Sequence, residues 1–182
     1  MKATYLGIDV GSISTNLVLL DDNGRVLHKQ YLRTHGQPMN PMQTGLMGLA
    51  EKMDGELTVS GVGTTGSGRY LAGILIGADV IKNEITAHAV AALHHEPETQ
   101  TIIEIGGQDS KSIILRNSTV IDFAMNTVCA AGTGSFLDQQ AYRLGIPIES
   151  FGEHALNARK PVKIASRCTV FAESDMIHKQ QM

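Results

Sequence analysis

Two short stretches of the chain place an acidic residue two positions before a glycine in a polar turn. Asp9 precedes Gly11 in the first stretch, and Glu104 precedes Gly106 in the second. A tight turn of small residues exposes successive backbone N–H groups, which form a concave anion site. A carboxylate beside such a site suits a phosphate that carries Mg²⁺, because this ion usually contacts one or two carboxylates and keeps several waters. The pattern predicts two loops that together hold the phosphates of a magnesium-bound nucleotide.

Both turns contain side chains that can donate further hydrogen bonds to phosphate. Ser12, Ser14 and Thr15 supply hydroxyl groups in the first turn, and Gln108 and Ser110 supply donors in the second. A competing interpretation is that both stretches are ordinary hairpin turns with acids on the surface. The predicted nucleotide-binding residues are Gly11, Ser12, Ser14, Thr15, Gly106, Gly107, Gln108, Asp109, Gly132 and Gly134.

The two stretches belong to a longer internal repeat. The segments "GIDVGSISTNLVLLDDNGRVL" and "IEIGGQDSKSIILRNSTVI" share one plan, in which Gly11 corresponds to Gly107. A second pair, "GTTGSGRYLAG" and "CAAGTGSFLDQ", supports the repeat. Such a long period indicates two similar lobes and excludes a solenoid of short repeats. We therefore predict a first nucleotide-binding lobe over 1–98 and the start of a second lobe over 99–182, with the polar "HHEPETQ" segment at the junction.

The elements that must position these turns follow from hydrophobic periodicity and turn signals. Asn83 is a predicted N-cap, and turns are predicted at 22–24 and at 116–117. Strands are predicted at 3–10, 15–21, 25–33, 57–63, 100–105, 110–116 and 119–124. Helices are predicted at 42–53, 68–76, 84–95, 132–144, 149–158 and 169–180. A five-stranded mixed sheet is expected in the first lobe, because it begins with an antiparallel hairpin.

One further motif suggests a different way of binding a nucleotide. Residues 61–66 match G-x-G-x-x-G between a predicted strand and a predicted helix, with Glu84 further on. This pattern is typical of dinucleotide-binding folds. It normally opens a strand–helix–strand crossover, whereas an antiparallel hairpin comes first here. No G-x-x-x-x-G-K-[ST] sequence is present, so a P-loop is excluded.

Composition limits the remaining function classes. With 42% hydrophobic residues and a net charge of −3, nothing in the chain favours nucleic acid or an anionic membrane as a partner. The sequence has neither a signal-peptide pattern nor an apolar run long enough to span a membrane, so the protein is expected in the cytoplasm. A structural disulfide between the two cysteines, Cys129 and Cys168, is not expected there. They remain as inert core thiols or as metal ligands.

Three motifs resemble the actin, heat-shock chaperone and sugar-kinase superfamily. "DVGSISTN" is similar to its first phosphate loop, "NEITAHAVAAL" to its connecting helix and "IIEIGGQDSK" to its second phosphate loop. The resemblance implies an α/β fold of the ribonuclease H-like actin/sugar-kinase type. It also implies that Asp9 organises the water shell of Mg²⁺ and that Glu84 orients or activates the attacking water. Glu104 would be the acid of the second loop, where most relatives have aspartate.

Four motifs together resemble one branch of that superfamily over essentially the whole chain. "GIDVGSISTN", "GGQDSK", "VCAAGTGSF" and "RCTVFAESD" are similar to the ATP-dependent activators of 2-hydroxyacyl-CoA dehydratases, relatives of the ATPase subunits of benzoyl-CoA reductase. The resemblance implies an ATPase that takes electrons from a ferredoxin or flavodoxin and passes them singly to a dehydratase partner. Alternatives are a small-molecule kinase of the same superfamily and a non-catalytic nucleotide-gated assembly or chaperone module.

The resemblance assigns a role to the two cysteines. In that branch two cysteines per subunit of a homodimer hold one [4Fe–4S] cluster, and Cys129 and Cys168 lie at the matching positions. A cubane needs four thiolates, and a two-fold dimer doubles two cysteines to four. An intersubunit zinc site is the alternative. The chain contains no further glycine-rich adenosine segment, so we expect lobe one complete and lobe two partial within a longer protein.

Overall fold

The computed structural model describes residues 2–53, 57–126 and 132–182. The chain divides into two compact units. The first comprises Met1–Gln100 with Leu115–Ile121, and the second comprises Thr101–Ile114 with Asp122–Met182. The described residues form one sheet of five strands and one sheet of three strands. Within the described ranges, no helix is both long enough and apolar enough to cross a membrane.

The five-stranded sheet has the order β3-β2-β1-β4-β5. Its strands are β1 Lys2–Val10, β2 Ser14–Asp21, β3 Val26–Arg33, β4 Leu57–Thr65 and β5 Val80–Ile81. β1 is antiparallel to β2 and parallel to β4, β2 is antiparallel to β3, and β4 is parallel to β5. The helices of this part are α1 Met39–Ala50, α2 Arg69–Ile76 and α3 Glu84–His95. The mixed five-stranded sheet predicted from the sequence is confirmed.

The core of the first unit lies on one face of this sheet. Successive residues of a strand point to opposite faces, and the buried positions of β1 and β2 alternate accordingly. Leu6, Ile8 and Val10 of β1 pack with Leu17 and Leu19 of β2 in one apolar cluster. Asp9 and Asn16 are out of phase with these residues, so they lie on the other, less buried face of the hairpin.

Two details of the first unit differ from the sequence prediction. α1 begins at Met39, three residues before the predicted start at 42. Pro41 lies in the first helical turn, where its missing N–H group removes no intrahelical bond, so the proline does not prevent the helix from starting earlier. β5 was not predicted because it contains only two residues. Asn83 is an N-cap as predicted, since its side chain accepts a hydrogen bond of 2.8 Å from the Thr86 amide.

The three-stranded sheet has the order β6-β7-β8. Its strands are β6 Thr101–Ile105, β7 Ser110–Arg116 and β8 Thr119–Met125, and the helices that follow are α4 Gly134–Leu144, α5 Ile148–Leu156 and α6 Thr169–Gln180. β6 and β7 form an antiparallel hairpin. The turn after β7 is centred on Asn117 and Ser118, which both have positive φ, one residue later than predicted. This backbone matches the two-residue turns that suit the twist of hairpins.

Candidate functional site

The first glycine loop, residues 11–13, joins β1 to β2. The Gly11 amide donates to the Ser14 carbonyl at 2.9 Å, which closes the turn. A Cβ at Gly11 would lie 3.0 Å from the same carbonyl oxygen, so this close approach favours glycine. Thr34 anchors the loop from the end of β3, because its hydroxyl donates to the Gly11 carbonyl at 2.9 Å and hydrogen-bonds the buried Thr15 hydroxyl at 3.1 Å. Thr15 is therefore part of the anchor of the loop.

Asp9 lies beside this loop, near the end of β1. Its partner in the antiparallel register is Asn16. The Asn16 side-chain amide donates to Asp9 Oδ2 and to Ser14 Oγ, both at 3.3 Å. Among the described residues, the amides of Ser12 and Ile13 donate to no protein acceptor. The loop thus presents backbone donors next to a carboxylate, as a magnesium-bound phosphate requires.

The segment that joins β4 to α2 closes over the Asp9 carboxylate. Gly66 has a φ of +86°, and a Cβ there would overlap Asp9 Oδ1 and lie 2.5 Å from the Val10 carbonyl oxygen. The Gly68 amide donates to that same carbonyl at 2.8 Å. The G-x-G-x-x-G stretch therefore packs against the acid of the first loop. This is the stretch that the sequence analysis considered as a dinucleotide-binding motif.

Thr65 was missed by the sequence analysis. It is the register partner of Asp9 across the parallel pair of β1 and β4. Its hydroxyl oxygen is buried and has no hydrogen-bond partner among the described residues. Buried hydroxyl groups normally have a partner, so this one is suited to a ligand or a bound water. The sequence shows that Thr65 lies close to the end of a predicted strand. Its place beside Asp9 follows only from the register of β1 with β4.

Glu84 lies at the same sheet edge as Asp9. β1, β4 and β5 are parallel neighbours in that order, so their carboxyl ends share one edge. Glu84 is the first residue of α3, three positions after the end of β5. It is half-buried, and its carboxylate is favoured by the positive end of the helix dipole. The topology therefore places the two acids on either side of the β4 end that carries Thr65.

The second glycine loop, residues 106–109, joins β6 to β7. The Gly106 amide donates to the Asp109 carbonyl at 2.9 Å, which is the counterpart of the bond from Gly11 to Ser14. Gly11 therefore corresponds to Gly106, and its predicted correspondence to Gly107 is wrong by one residue. In the described part of the chain, the Gln108 amide donates to no protein acceptor.

The start of α4 is bonded to the second loop. The Gly134 amide donates to the Gly106 carbonyl at 2.8 Å, and the Ser135 amide donates to the Gly107 carbonyl at 3.0 Å. A Cβ at Gly134 would lie 3.2 Å from the Gly106 carbonyl oxygen, so the helix approaches the loop closely. Gly106, Gly107 and Gly134 are thus brought together. These two amides bind the protein itself, so Gly134 contributes to the loop as a support and its N–H group is already used.

The two glycine segments that precede α2 and α4 share one geometry. Gly66 has a φ of +86° and Gly132 has a φ of +80°. Two residues later, Gly68 and Gly134 each donate to a carbonyl at the glycine hairpin of their own unit. This agreement supports the repeat between "GTTGSGRYLAG" and "CAAGTGSFLDQ" at the level of the backbone.

The acids of the second loop have a cationic partner that the sequence analysis missed. Lys111 is the register partner of Glu104 and donates to Glu104 Oε2 at 2.9 Å. Its ammonium group also forms a short ion pair with Asp109. Lys111 is in phase with the buried Ile113 and Leu115 of β7 and is itself only 5% exposed. The sequence did contain a sign of this ion pair, because Lys111 occupies a position that the alternation of β7 directs towards the core.

The two cysteines are described unequally. Cys168 is the N-cap residue of α6, is half-buried and has a free thiol. Arg167 beside it is exposed. Cys129 lies outside the described residues. Within the described ranges, no group of three or more His, Cys, Asp and Glu side chains is arranged to enclose a metal ion.

Comparison with known proteins gives a consistent result. Residues 6–182 match the model of the BadF/BadG/BcrA/BcrD ATPase family. The chain is 38% identical over 182 residues to the (R)-2-hydroxyglutaryl-CoA dehydratase activating ATPase of Acidaminococcus fermentans, a match that covers 97% of this chain and 67% of that protein.

Two solved structures are similar along nearly the whole chain. The crystal structure of the Acidaminococcus fermentans (R)-2-hydroxyglutaryl-CoA dehydratase component A has a TM-score of 0.83 and 36% identity, and the match covers 98% of this chain and 68% of that one. The 2-hydroxyisocaproyl-CoA dehydratase activator of Clostridium difficile, solved with bound ADPNP, has a TM-score of 0.82 and 34% identity over 100% and 66% of the two chains. The chain thus spans about two thirds of the length of these relatives. The predicted α/β fold of the actin/sugar-kinase type is confirmed.

Proposed function

The chain belongs to the BadF/BadG/BcrA/BcrD ATPase family, and from this premise we propose that its parent protein is an ATP-dependent activator of a 2-hydroxyacyl-CoA dehydratase. It binds ATP with Mg²⁺, hydrolyses it and uses the reaction to pass one electron to the dehydratase. A ferredoxin or flavodoxin supplies that electron. Residues 1–98 form the first nucleotide-binding lobe, and residues 99–182 begin the second.

One observation supports nucleotide binding most strongly, namely the matched pair of glycine hairpins. Each closes its turn by a 2.9 Å hydrogen bond from a glycine amide to the carbonyl three residues later. Each has a carboxylate two residues before that glycine, Asp9 in the first hairpin and Glu104 in the second. Backbone amides at such turns bind anions. A single hairpin of this type is common, whereas its repetition with the same bond and the same acid supports a phosphate-binding role for both.

The residues around Asp9 fit a hydrated magnesium ion. Asp9 and Thr65 are register partners, no described residue bonds the Thr65 hydroxyl, and Gly66 leaves the space that a Cβ would fill against Asp9. When bound, Mg²⁺ neutralises phosphate charge, and it commonly keeps most of its water ligands. Asp9 would accept hydrogen bonds from those waters, and the Thr65 hydroxyl would hold one of them or a phosphate oxygen. Ser12, Ser14 and the first-loop amides bind the phosphate itself.

Glu84 is the residue we assign to the attacking water. It follows β5 at the sheet edge where Asp9 lies, one residue before the end of β1, and the capped first turn of α3 fixes its backbone. A carboxylate there accepts a hydrogen bond from water and so orients it towards the phosphate. Orienting or general-base groups contribute about 10²–10⁴-fold to the rate.

The two cysteines are the residues that would hold a [4Fe–4S] cluster. Cys168 fits this role because it is the N-cap residue of α6 and has a free thiol, and an anionic ligand is favoured at the positive end of a helix. Cys129 would supply the second ligand of each chain, and a homodimer would supply all four. Such a group supplies a low-potential electron. The chain's own part is to hold the thiolates and to exclude other ligands.

Glu84→Ala in the full-length protein tests the ATPase assignment. Hydrolysis should slow by about 10²–10⁴-fold while the dissociation constant for ATP stays near that of the wild type, because the phosphate donors are unchanged. Steady-state hydrolysis and titration calorimetry measure the two quantities. Glu149→Ala is the matched control, since Glu149 is also a first-turn acid, in α5. Equal hydrolysis by Glu84→Ala and wild type would reject the role of Glu84.

Iron analysis tests the electron-transfer assignment. Purified without oxygen, the full-length protein should be a dimer with about four iron ions per two chains, and either Cys129→Ser or Cys168→Ser should remove the iron. ATP binding should persist in both variants, because the glycine loops are separate from the cysteines in sequence. Iron-free protein that still hydrolyses ATP and phosphorylates a small molecule would favour the kinase alternative.

A further inference from the structure

Lys111 is the most unusual charged residue of the described chain. It lies on the buried face of β7, in phase with Ile113 and Leu115, and is only 5% exposed. A buried ammonium group is costly unless it is paired with an opposite charge. Here it is paired with Glu104 at 2.9 Å and with Asp109. Its burial together with these ion pairs indicates that Lys111 has a structural role in this part of the chain.

The ion pairs of Lys111 hold the second glycine loop in shape. Lys111 draws two carboxylates together, Glu104 from β6 and Asp109 from the loop itself. A Cβ at Gly106 would lie 3.0 Å from Glu104 Oε1 and 3.2 Å from Asp109 Oδ1, so both acids pack directly against the loop backbone. The Gly106 amide and the Asp109 carbonyl close the same turn. The position of the loop amides therefore depends on the ion pairs.

The first hairpin has a neutral residue at the equivalent place. Lys111 follows Glu104 by seven residues, and Asn16 follows Asp9 by seven residues. Both pairs are opposite each other in an antiparallel register. The first hairpin thus supplies an amide opposite its acid, and the second supplies an ammonium group.

We propose that Lys111 is the resident cation of the second glycine loop, holding Glu104 and Asp109 so that this loop binds phosphate without a metal ion of its own. This rests on the proposed nucleotide binding and makes it more specific: one Mg²⁺ accompanies each nucleotide, and Asp9 serves it. Glu104 is then a positioning residue of the loop and is not a magnesium ligand.

Removing the ammonium group has a definite consequence. Two carboxylates that converge on one cation repel each other once that cation is gone, and oxygen ligands of this kind recruit divalent ions. Lys111→Ala therefore converts the ion-pair cluster into a site for a divalent cation. A purely space-filling role for the lysine stem predicts no such gain.

Binding of Mn²⁺ to the full-length protein, followed by electron paramagnetic resonance, tests the proposal. Without nucleotide, Lys111→Ala should bind about one more Mn²⁺ per chain than the wild type, and Mn²⁺ should raise its melting temperature. With ATP, it should hold about two Mn²⁺ per nucleotide against one in the wild type. The double variant Glu104→Gln/Lys111→Ala should lose the additional ion, and Lys111→Arg should not gain it. Asn16→Ala is the matched control in the first hairpin and should gain no ion.

The outcomes are decisive. An unchanged Mn²⁺ count in folded Lys111→Ala overturns the proposal. If Lys111→Ala does not fold, recovery of folding in Glu104→Gln/Lys111→Ala supports the charge-balancing role, and continued failure overturns it. Because the first measurement needs no nucleotide, it stands even if the wild type fails to bind ATP. Failure of the wild type to bind ATP would reject the proposed function. The role of Lys111 would then be decided by the Mn²⁺ count measured without nucleotide.

Discussion

The two glycine hairpins share the turn bond and differ in the residue that faces the acid. In the first, Asp9 faces the neutral amide of Asn16, on the less buried face of the strands. In the second, Glu104 faces the ammonium group of Lys111, which is buried. The glycine and the turn bond set the shape of each loop, while the residue opposite the acid decides which cation accompanies it. Backbone repetition therefore does not imply repetition of the metal chemistry.

The largest expected effect concerns activity in the first hairpin. Asp9→Asn should lower magnesium-dependent ATP hydrolysis by about 10²–10³-fold, because the negative charge that would hold the hydrated Mg²⁺ beside the phosphates is lost. Its unfolding free energy should change by about 1 kcal/mol or less, since Asn can still accept from Asn16. Steady-state hydrolysis and urea unfolding measure the two effects. A protein that loses stability and keeps its activity would break the comparison.

The second hairpin should respond in the opposite way. Glu104→Gln should cost about 3 kcal/mol of unfolding free energy, because it leaves a buried ammonium group with only part of its compensation. The Mg²⁺ concentration that gives half-maximal hydrolysis should not change. Urea unfolding and a magnesium titration of the ATPase provide both values. A shifted magnesium requirement would show that Glu104 acts on the metal after all.

The glycines before α2 and α4 sharpen the comparison further. Ala at Gly66 or Gly132 should cost about 1–2 kcal/mol for the positive φ alone. Gly66→Ala should cost a further 1–3 kcal/mol or so from overpacking against Asp9 and Val10. Gly132 has no described atom within 4 Å of the added Cβ. Thermal unfolding of both variants gives the difference, and equal costs would contradict the packing of Gly66 on Asp9.

The smallest expected effect concerns Thr65. Thr65→Val should leave the unfolding free energy unchanged or raise it by up to about 1 kcal/mol, because its buried hydroxyl has no described partner. Thr64→Val is the matched control and should cost about 1 kcal/mol, since the Thr64 hydroxyl donates to the Arg69 carbonyl at 3.0 Å. Urea unfolding measures both, and a large loss in Thr65→Val would reveal a structural partner.

The sequence predicted the elements better than it predicted their contacts. Hydrophobic periodicity and Gly or Asn turn signals are local, so seven of the eight described strands, the Asn83 cap and the acid–glycine pairs were identified. β5 was missed because two residues carry no periodicity. The predicted start of α1 was three residues late, and Pro41 is compatible with the earlier start because it lies in the first helical turn.

The residues that complete the candidate site were the harder part. Thr65 and Asp9 are neighbours only through the register of β1 with β4, which joins segments far apart in the chain. Lys111 left a local trace, a lysine in phase with Ile113 and Leu115, but its two acid partners become evident only when the hairpin register is known. The offset of the repeat was misjudged by one residue for the same reason.

The hydrogen bonds between α4 and the second loop allow the state of that loop to be followed in solution by amide hydrogen exchange. The first amide protons of a helix ordinarily lack an intrahelical acceptor and exchange quickly with water. Those of Gly134 and Ser135 donate to loop carbonyls instead. Their exchange rates therefore report whether the loop is intact, one residue at a time, without a bound nucleotide or an active enzyme. The Gly68 amide, bonded to the Val10 carbonyl, offers the same reading for the first hairpin.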